Sequence, residues 1–147
     1  MKVFIVNGSG AYRNMFLSLG WSIADALKDA NLICFTGGED VSPDLYHSDK
    51  HPATHSNLYR DEREKLIFAE ALQLGIPMVG ICRGGQFLNV MCGGSMYQHV
   101  QGHCMSHHIT DLETGAIVYA SSTHHQMIKP APEGLLVASS HIGGERE

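Results

Sequence analysis

The sequence predicts a three-layer α/β domain with a central, mostly parallel sheet, and three observations carry that expectation. Short apolar runs alternate with stretches of helical periodicity. Glycine-bearing turns close the runs. The run Ile76 to Ile81 is apolar at almost every position, the pattern of a strand covered by helices on both faces.

Val3 to Val6 reads as a buried strand stopped by Asn7-Gly8-Ser9-Gly10. From Tyr12 to Leu27 apolar residues recur at three- and four-residue steps, which predicts a helix with a break at Gly20. Leu32 to Phe35 is a second strand, ended by Thr36-Gly37-Gly38. Residues 39 to 57 hold two prolines and three histidines and read as a surface loop. Asn57 caps a helix from Leu58 to Leu74, with Glu62, Glu64, Lys65 and Glu70 outward and Leu66, Ile67, Ala69, Ala71, Leu72 and Leu74 available for burial. Gly75 ends it and Pro77 prevents its resumption. A helix from about Gly84 to Met91 follows Cys82, and Met96-Tyr97, Ala116 to Ala120 and Leu135 to Ala138 are short strands separated by histidine- and glycine-bearing loops.

At 147 residues, with 44% hydrophobic and 17% charged residues, the chain is read as one domain spanning 1–147. The net charge of -5, with ten scattered Lys and Arg residues, argues against a nucleic-acid or anionic-membrane surface and favours a small-molecule partner. The apolar run at the start is too short for a signal peptide and no stretch reaches membrane-helix length, so a cytoplasmic location is expected. Cys34, Cys82, Cys92 and Cys104 have irregular spacing and are read as thiols; Cys34 and Cys92 are assigned packing roles.

Cys82 is different. Gly80-Ile81-Cys82-Arg83-Gly84 has the glycine-flanked layout of a nucleophile elbow, in which small neighbours allow a sharp strand-to-helix turn. At a helix start, unpaired amides and the dipole favour thiolate over thiol. The Arg83 side chain either adds positive potential there or forms a structural salt bridge. The backbone N–H of Arg83 is the expected oxyanion donor, and the Gly37-Gly38 turn at the end of another strand can supply a second.

Five ordered blocks then carry a resemblance: Phe35 to Tyr46; Arg60-Asp61 with Glu64; Gly80-Ile81-Cys82-Arg83-Gly84-Gly85-Gln86 to Val90; Gly93-Gly94 with Tyr97-Gln98; and Ser122-Thr123-His124-His125-Gln126. Together they resemble class I glutamine amidotransferase-like proteins, nearest to the branch of γ-glutamyl-γ-aminobutyrate hydrolases, also classed as a cysteine peptidase family. The resemblance implies a flavodoxin-like fold, Cys82 as nucleophile, Gly38 and Arg83 as backbone oxyanion donors, and Gln86, His124 and Gln126 on the substrate side. It also places Arg60, Asp61 and Glu64 in a helix-borne charged motif, for which helix solubility and loop anchoring outrank direct catalysis. No cofactor is implied.

The family's base is a His-x-Glu pair near the C-terminus, whereas none of the ten histidines here has Glu two residues later. Three readings stay open. The chain is C-terminally incomplete; or His124 or His125 serves as base, His125 being the alternative put forward; or the protein binds a γ-glutamyl ligand without turnover. The expected reaction is hydrolysis of a γ-glutamyl amide, with a homodimer or a synthetase partner taking ammonia as further expectations. A rival metal-binding reading rests on His99, His103, Cys104, His107 and His108. It lacks a Cys-x2-Cys partner, and Gly102 argues against the helix that would align His99 with His103.

Overall fold

The computed structural model describes residues 1–140. They form two compact units, Met1–Val41 with Ser56–Leu88, and Ser42–His55 with the chain from Asn89 onward. Residues 141–147 lie outside the described residues.

The first unit is built on β1 (Lys2–Val6), α1 (Gly10–Ser18), β2 (Ser22–Ile23), β3 (Leu32–Phe35), α2 (Leu58–Leu74), β4 (Met78–Gly80) and α3 (Arg83–Met91) as far as Leu88. Its four strands lie in the order β2-β1-β3-β4 and every pairing is parallel. That is the first four-strand order of a flavodoxin-like sheet. The connection from β1 to β2 steps one way and that from β3 to β4 steps the other, so right-handed crossovers put α1 and α2 on opposite faces and make three layers.

Burial explains why these segments hold. Val3, Ile33, Cys34 and Phe35 are fully buried, and Val3, Phe16 and Cys34 form a cluster walled by Ile5, Trp21, Ile23, Leu32 and Ile81. Burial also pushes the Cys34 thiol above its ordinary range. Phe87 fills the space beside Phe35 and Phe68, at ring separations of 5.2 and 6.4 Å. The Thr36 hydroxyl donates to the Val6 carbonyl at 2.7 Å, fastening the C-terminal ends of β1 and β3 together.

Up to Cys92, four expectations need correction. The Tyr12 to Leu27 helix stops at Ser18, because Gly20 adopts a left-handed φ of 76° and the amides of Leu19, Gly20 and Trp21 fold back on Phe16 and Leu17. Beyond that turn Ser22-Ile23 pairs with Lys2-Val3 instead of continuing a helix. The run Ile76 to Ile81 yields only a three-residue strand, and its faces are not fully covered, since Val79 is 38% exposed; β4 also ends the strand order. Cys92, expected to pack, is exposed just beyond α3.

The fourth concerns α2. Its bounds, its Asn57 cap on the Arg60 amide and its left-handed Gly75 terminus follow the sequence reading. Its faces follow only in part: Ala71 is buried and Glu62 and Glu70 are exposed as expected, but the other buried residues are Arg60, Asp61, Glu64 and Phe68. Leu66 and Leu72 are instead 73% and 59% exposed. Charged side chains can occupy the inner face only because they pair there.

In the second unit β5 (Ser95–Tyr97) pairs antiparallel with β8 (Met127–Lys129), and β6 (His107–Asp111) lies between β7 (Ile117–Ala120) and β9 (Ala138–Ser140). Strand β9 falls later than the Leu135 to Ala138 expectation, and β6 and β8 fall in segments read as loops. Asn89 stitches β5 to β8, donating to the carbonyls of Ser95 and Lys129 at 3.1 and 3.0 Å. Gln98 accepts from the His51 amide and Thr54 hydroxyl and donates to Ser48 and Asp49, shaping the loop from 48 to 54. No helix among the described residues is long and apolar enough to cross a membrane.

Candidate active site

Cys82 sits between β4 and α3 with φ 54°, a left-handed conformation that side chains rarely adopt. It is exposed. Its carbonyl accepts the amides of Gly85 and Gln86 at 2.9 and 3.2 Å and so starts α3, while the Gly84 amide turns back to Ile81 at 3.0 Å. The Arg83 amide takes part in none of these bonds.

The flanking glycines are required by close approach. A Cβ on Gly80 would stand 2.2 Å from the Gly84 carbonyl carbon, and one on Gly84 would stand 2.1 Å from the Phe35 carbonyl oxygen. Only bare backbone lets the elbow fold against β3.

The Gly37-Gly38 turn follows β3 directly. A Cβ built on Gly37 would lie 3.5 Å from the Cys82 Cβ and 2.9 Å from the Tyr12 hydroxyl, which accepts the Gly37 amide at 3.1 Å. Gly38 has φ 146°, and a Cβ there would meet the Arg60 Nη1 at 2.2 Å. The turn thus has Cys82 on one side and Arg60 on the other.

Behind the turn lies a buried charge network. Arg60 donates through Nη2 to the carbonyls of Thr36 and Gly37 at 2.9 and 3.2 Å, through Nη1 to Glu39 at 2.7 Å, and through Nε to Glu64 at 2.8 Å. Glu64 also accepts from Asn7 at 2.8 Å and from Arg83, whose other terminal nitrogen pairs with Asp61. Asp61 and Glu64 are fully buried and Arg83 is 1% exposed. The Arg83 guanidinium stacks 5.5 Å from the Phe87 ring. Of the two roles left open for the Arg83 side chain, the structure shows the salt bridge.

Burial works against ionisation of Glu39, but its hydrogen bonds and the Arg60 charge outweigh it and hold the carboxyl below its ordinary range. Burial likewise opposes the Arg60 charge, and Glu64 and Glu39 overcome it. Helix solubility is therefore not what Arg60, Asp61 and Glu64 supply; loop anchoring is. Tyr12 and Glu39 received no role from the sequence, since a helix-start tyrosine and a loop carboxylate show nothing until the fold supplies their partners.

Gln86 is half-buried in the first turn of α3. The structure brings Cys82, Arg83, Gln86, Gly37 and Gly38 into the first unit and His124, His125 and Gln126 into the second. There Gln126 is 1% exposed and its amide donates to Thr54 and to the Gln98 carbonyl at 3.3 and 3.2 Å. Its side chain holds the segment that carries the two histidines. The His124 ring nitrogen Nδ1 lies 3.0 Å from the Gln126 carbonyl, and the His125 carbonyl accepts the Val100 amide at 2.8 Å.

The residues of the rival metal reading do not converge on one point, although His103 and His107 are neighbours. His99 lies beside His51 and His125, His103 beside His107 and His124, and His108 against Tyr119. Among the described residues no group of three or more His, Cys, Asp or Glu side chains is placed to hold a metal ion.

Comparison with known proteins accords with this geometry. Residues 6–143 match the peptidase C26 family. A Mycobacterium tuberculosis protein named for glutamine amidotransferases is 34% identical over 84% of this chain and 46% of its own length. A glutamine amidotransferase-like protein of Lactococcus lactis subsp. cremoris is 33% identical over 78% of this chain and 72% of its own. The chain thus spans about half the length of the mycobacterial relative. The crystal structure of a glutamine amidotransferase from Thermotoga maritima superposes with a TM-score of 0.72 at 17% identity, covering 97% of this chain and 68% of that one. A strained cysteine between a parallel strand and a helix, a glycine turn against it, and these matches place the chain in the peptidase C26 family, with the class I glutamine amidotransferase-like fold.

Proposed function

We propose that this chain carries the nucleophile and oxyanion site of a cysteine hydrolase that cuts γ-glutamyl amide bonds. The observation that supports it most is the exposed Cys82 at φ 54° with the Gly37-Gly38 turn against its Cβ. In this reading the Cys82 thiolate attacks the γ-carbonyl carbon, a C–S bond forms, and the carbonyl electrons move onto oxygen. The backbone amides of Gly38 and Arg83 stabilise that oxyanion. Collapse breaks the C–N bond, the amine leaves with a proton, and water hydrolyses the thioester to a γ-carboxylate and free Cys82.

Gln86, one helical turn beyond the nucleophile, contacts the glutamyl group, and His124 lies on the substrate side. The first unit contains no histidine. The resemblance leaves the base to His125, to His124 or to a histidine of a longer polypeptide. Hydrolysis is favoured over ammonia transfer because the five sequence blocks resemble the hydrolase branch.

The test is reaction with a glutamine-mimicking electrophile followed by peptide mapping. An adduct on Cys82 in preference to Cys92 and Cys104, which are also exposed, is expected. Adducts on those two with Cys82 untouched would overturn the assignment. Hydrolysis of a γ-glutamyl peptide that disappears in His125→Ala assigns the base to the second unit; hydrolysis that requires a C-terminal extension assigns it to the longer polypeptide.

A further inference from the structure

Four charged side chains of the first unit, Arg60, Asp61, Glu64 and Arg83, are each 9% exposed or less. Burying charge is costly even when it is paired, and apolar replacements of similar volume are often no less stable. Stability alone therefore gives no account of this network. Its connections give one.

Glu64 joins the ends of three strands. It accepts Asn7, which follows β1; it orients Arg60, which grips the carbonyls after β3; and it pairs with Arg83, which follows the nucleophile after β4. The bond from Arg60 to the Gly37 carbonyl has a directional consequence. In a planar trans peptide the C=O and the next N–H point opposite ways. With the Gly37 oxygen drawn to Arg60, the Gly38 N–H faces away from it. Two glycines flank that peptide plane, so nothing in their own conformational preferences would keep it so oriented.

We propose that Arg60, held by Glu64 and Glu39, is a positioning residue that locks the Gly37–Gly38 peptide with its N–H available to the oxyanion. This rests on the hydrolase reading of Cys82. Without Arg60 the peptide is free to rotate, and a carbonyl oxygen can replace the donor where negative charge develops.

The experiment compares two reactions of the same thiol in the 147-residue chain. Alkylation by iodoacetamide is displacement at a saturated carbon and needs no oxyanion site. Acylation by an activated γ-glutamyl thioester passes through an oxyanion, and its thiolate leaving group needs no proton, so no base limits it. In Arg60→Met the ratio of acylation to alkylation is expected to fall at least about tenfold, since loss of one oxyanion donor costs roughly a hundredfold or more. Arg60→Lys, which can still reach a carbonyl, should recover part of it.

Trp21 fluorescence reports whether each variant is folded. Should Arg60→Met fail to fold, Glu39→Gln decides, because Glu39 is at the solvent-exposed side of the network, with a side chain 35% exposed. Its ratio should fall between wild type and Arg60→Lys. Unchanged ratios in folded variants overturn the positioning role alone. If iodoacetamide modifies wild-type Cys82 but the thioester never acylates it, the hydrolase reading falls and takes this one with it.

Discussion

Cys82 bears a conformational strain with a measurable consequence. A side chain in the left-handed region costs on the order of 1–2 kcal/mol, and glycine escapes that cost. Cys82→Gly is therefore expected to melt above Cys82→Ala by about the same amount, while both lose labelling by the glutamine mimic. A calorimetric scan of the pair checks it; equal melting temperatures would mean that φ 54° is no burden to the fold. At this scale the sequence was readable where sterics decide. Gly80 and Gly84 announce the elbow because any Cβ there would strike backbone. Tyr12 did not announce itself, because its contact with the Gly37 amide spans 25 residues and no local pattern encodes it.

Helix α2 shows the same division between local and distant information. Asn57 and Gly75 act on their neighbours, and both helix ends follow from them. The inner face departs from the periodicity because periodicity assumes that charge seeks water, while Arg60, four residues before Glu64 on the same helix, and Arg83, from α3, neutralise Glu64 and Asp61. Glu39 makes the network sensitive to acid. Its folded carboxyl ionises at lower pH than an unfolded one, so the folded chain binds fewer protons. The stability it contributes is complete above the unfolded value of about 4.3 and is lost as pH falls through the folded value. Glu39→Gln should accordingly lose less melting temperature than wild type between about pH 5.5 and pH 3.5. Partial exposure screens the effect and keeps it modest. A wild-type decline no steeper than the variant's would show that Glu39 does not carry it.

For the whole molecule, the parallel sheet was legible and the antiparallel strands were less so. Strands β1 and β3 are apolar runs in a buried sheet, whereas β6 reads His107-His108-Ile109-Thr110-Asp111, with a polar majority that only its partners β7 and β9 turn into a strand. The division of residues between the two units also separates the chemistry. The cysteine and glycine turn belong to one, and every described histidine belongs to the other.

The terminal place of β4 in the sheet has a consequence for handling the chain. Its outer side has no strand neighbour among the described residues, and Val79 on this strand is partly exposed. Unpaired strand edges with apolar side chains invite a second molecule to add its own strand, and a single lysine is a common deterrent. The 147-residue chain should scatter more light as its concentration rises, and Val79→Lys should suppress that rise without lowering the melting temperature by more than about 1 kcal/mol equivalent. Concentration-independent scattering by the unaltered chain would show that this rim is already protected, and the protein could then be concentrated freely for crystallisation.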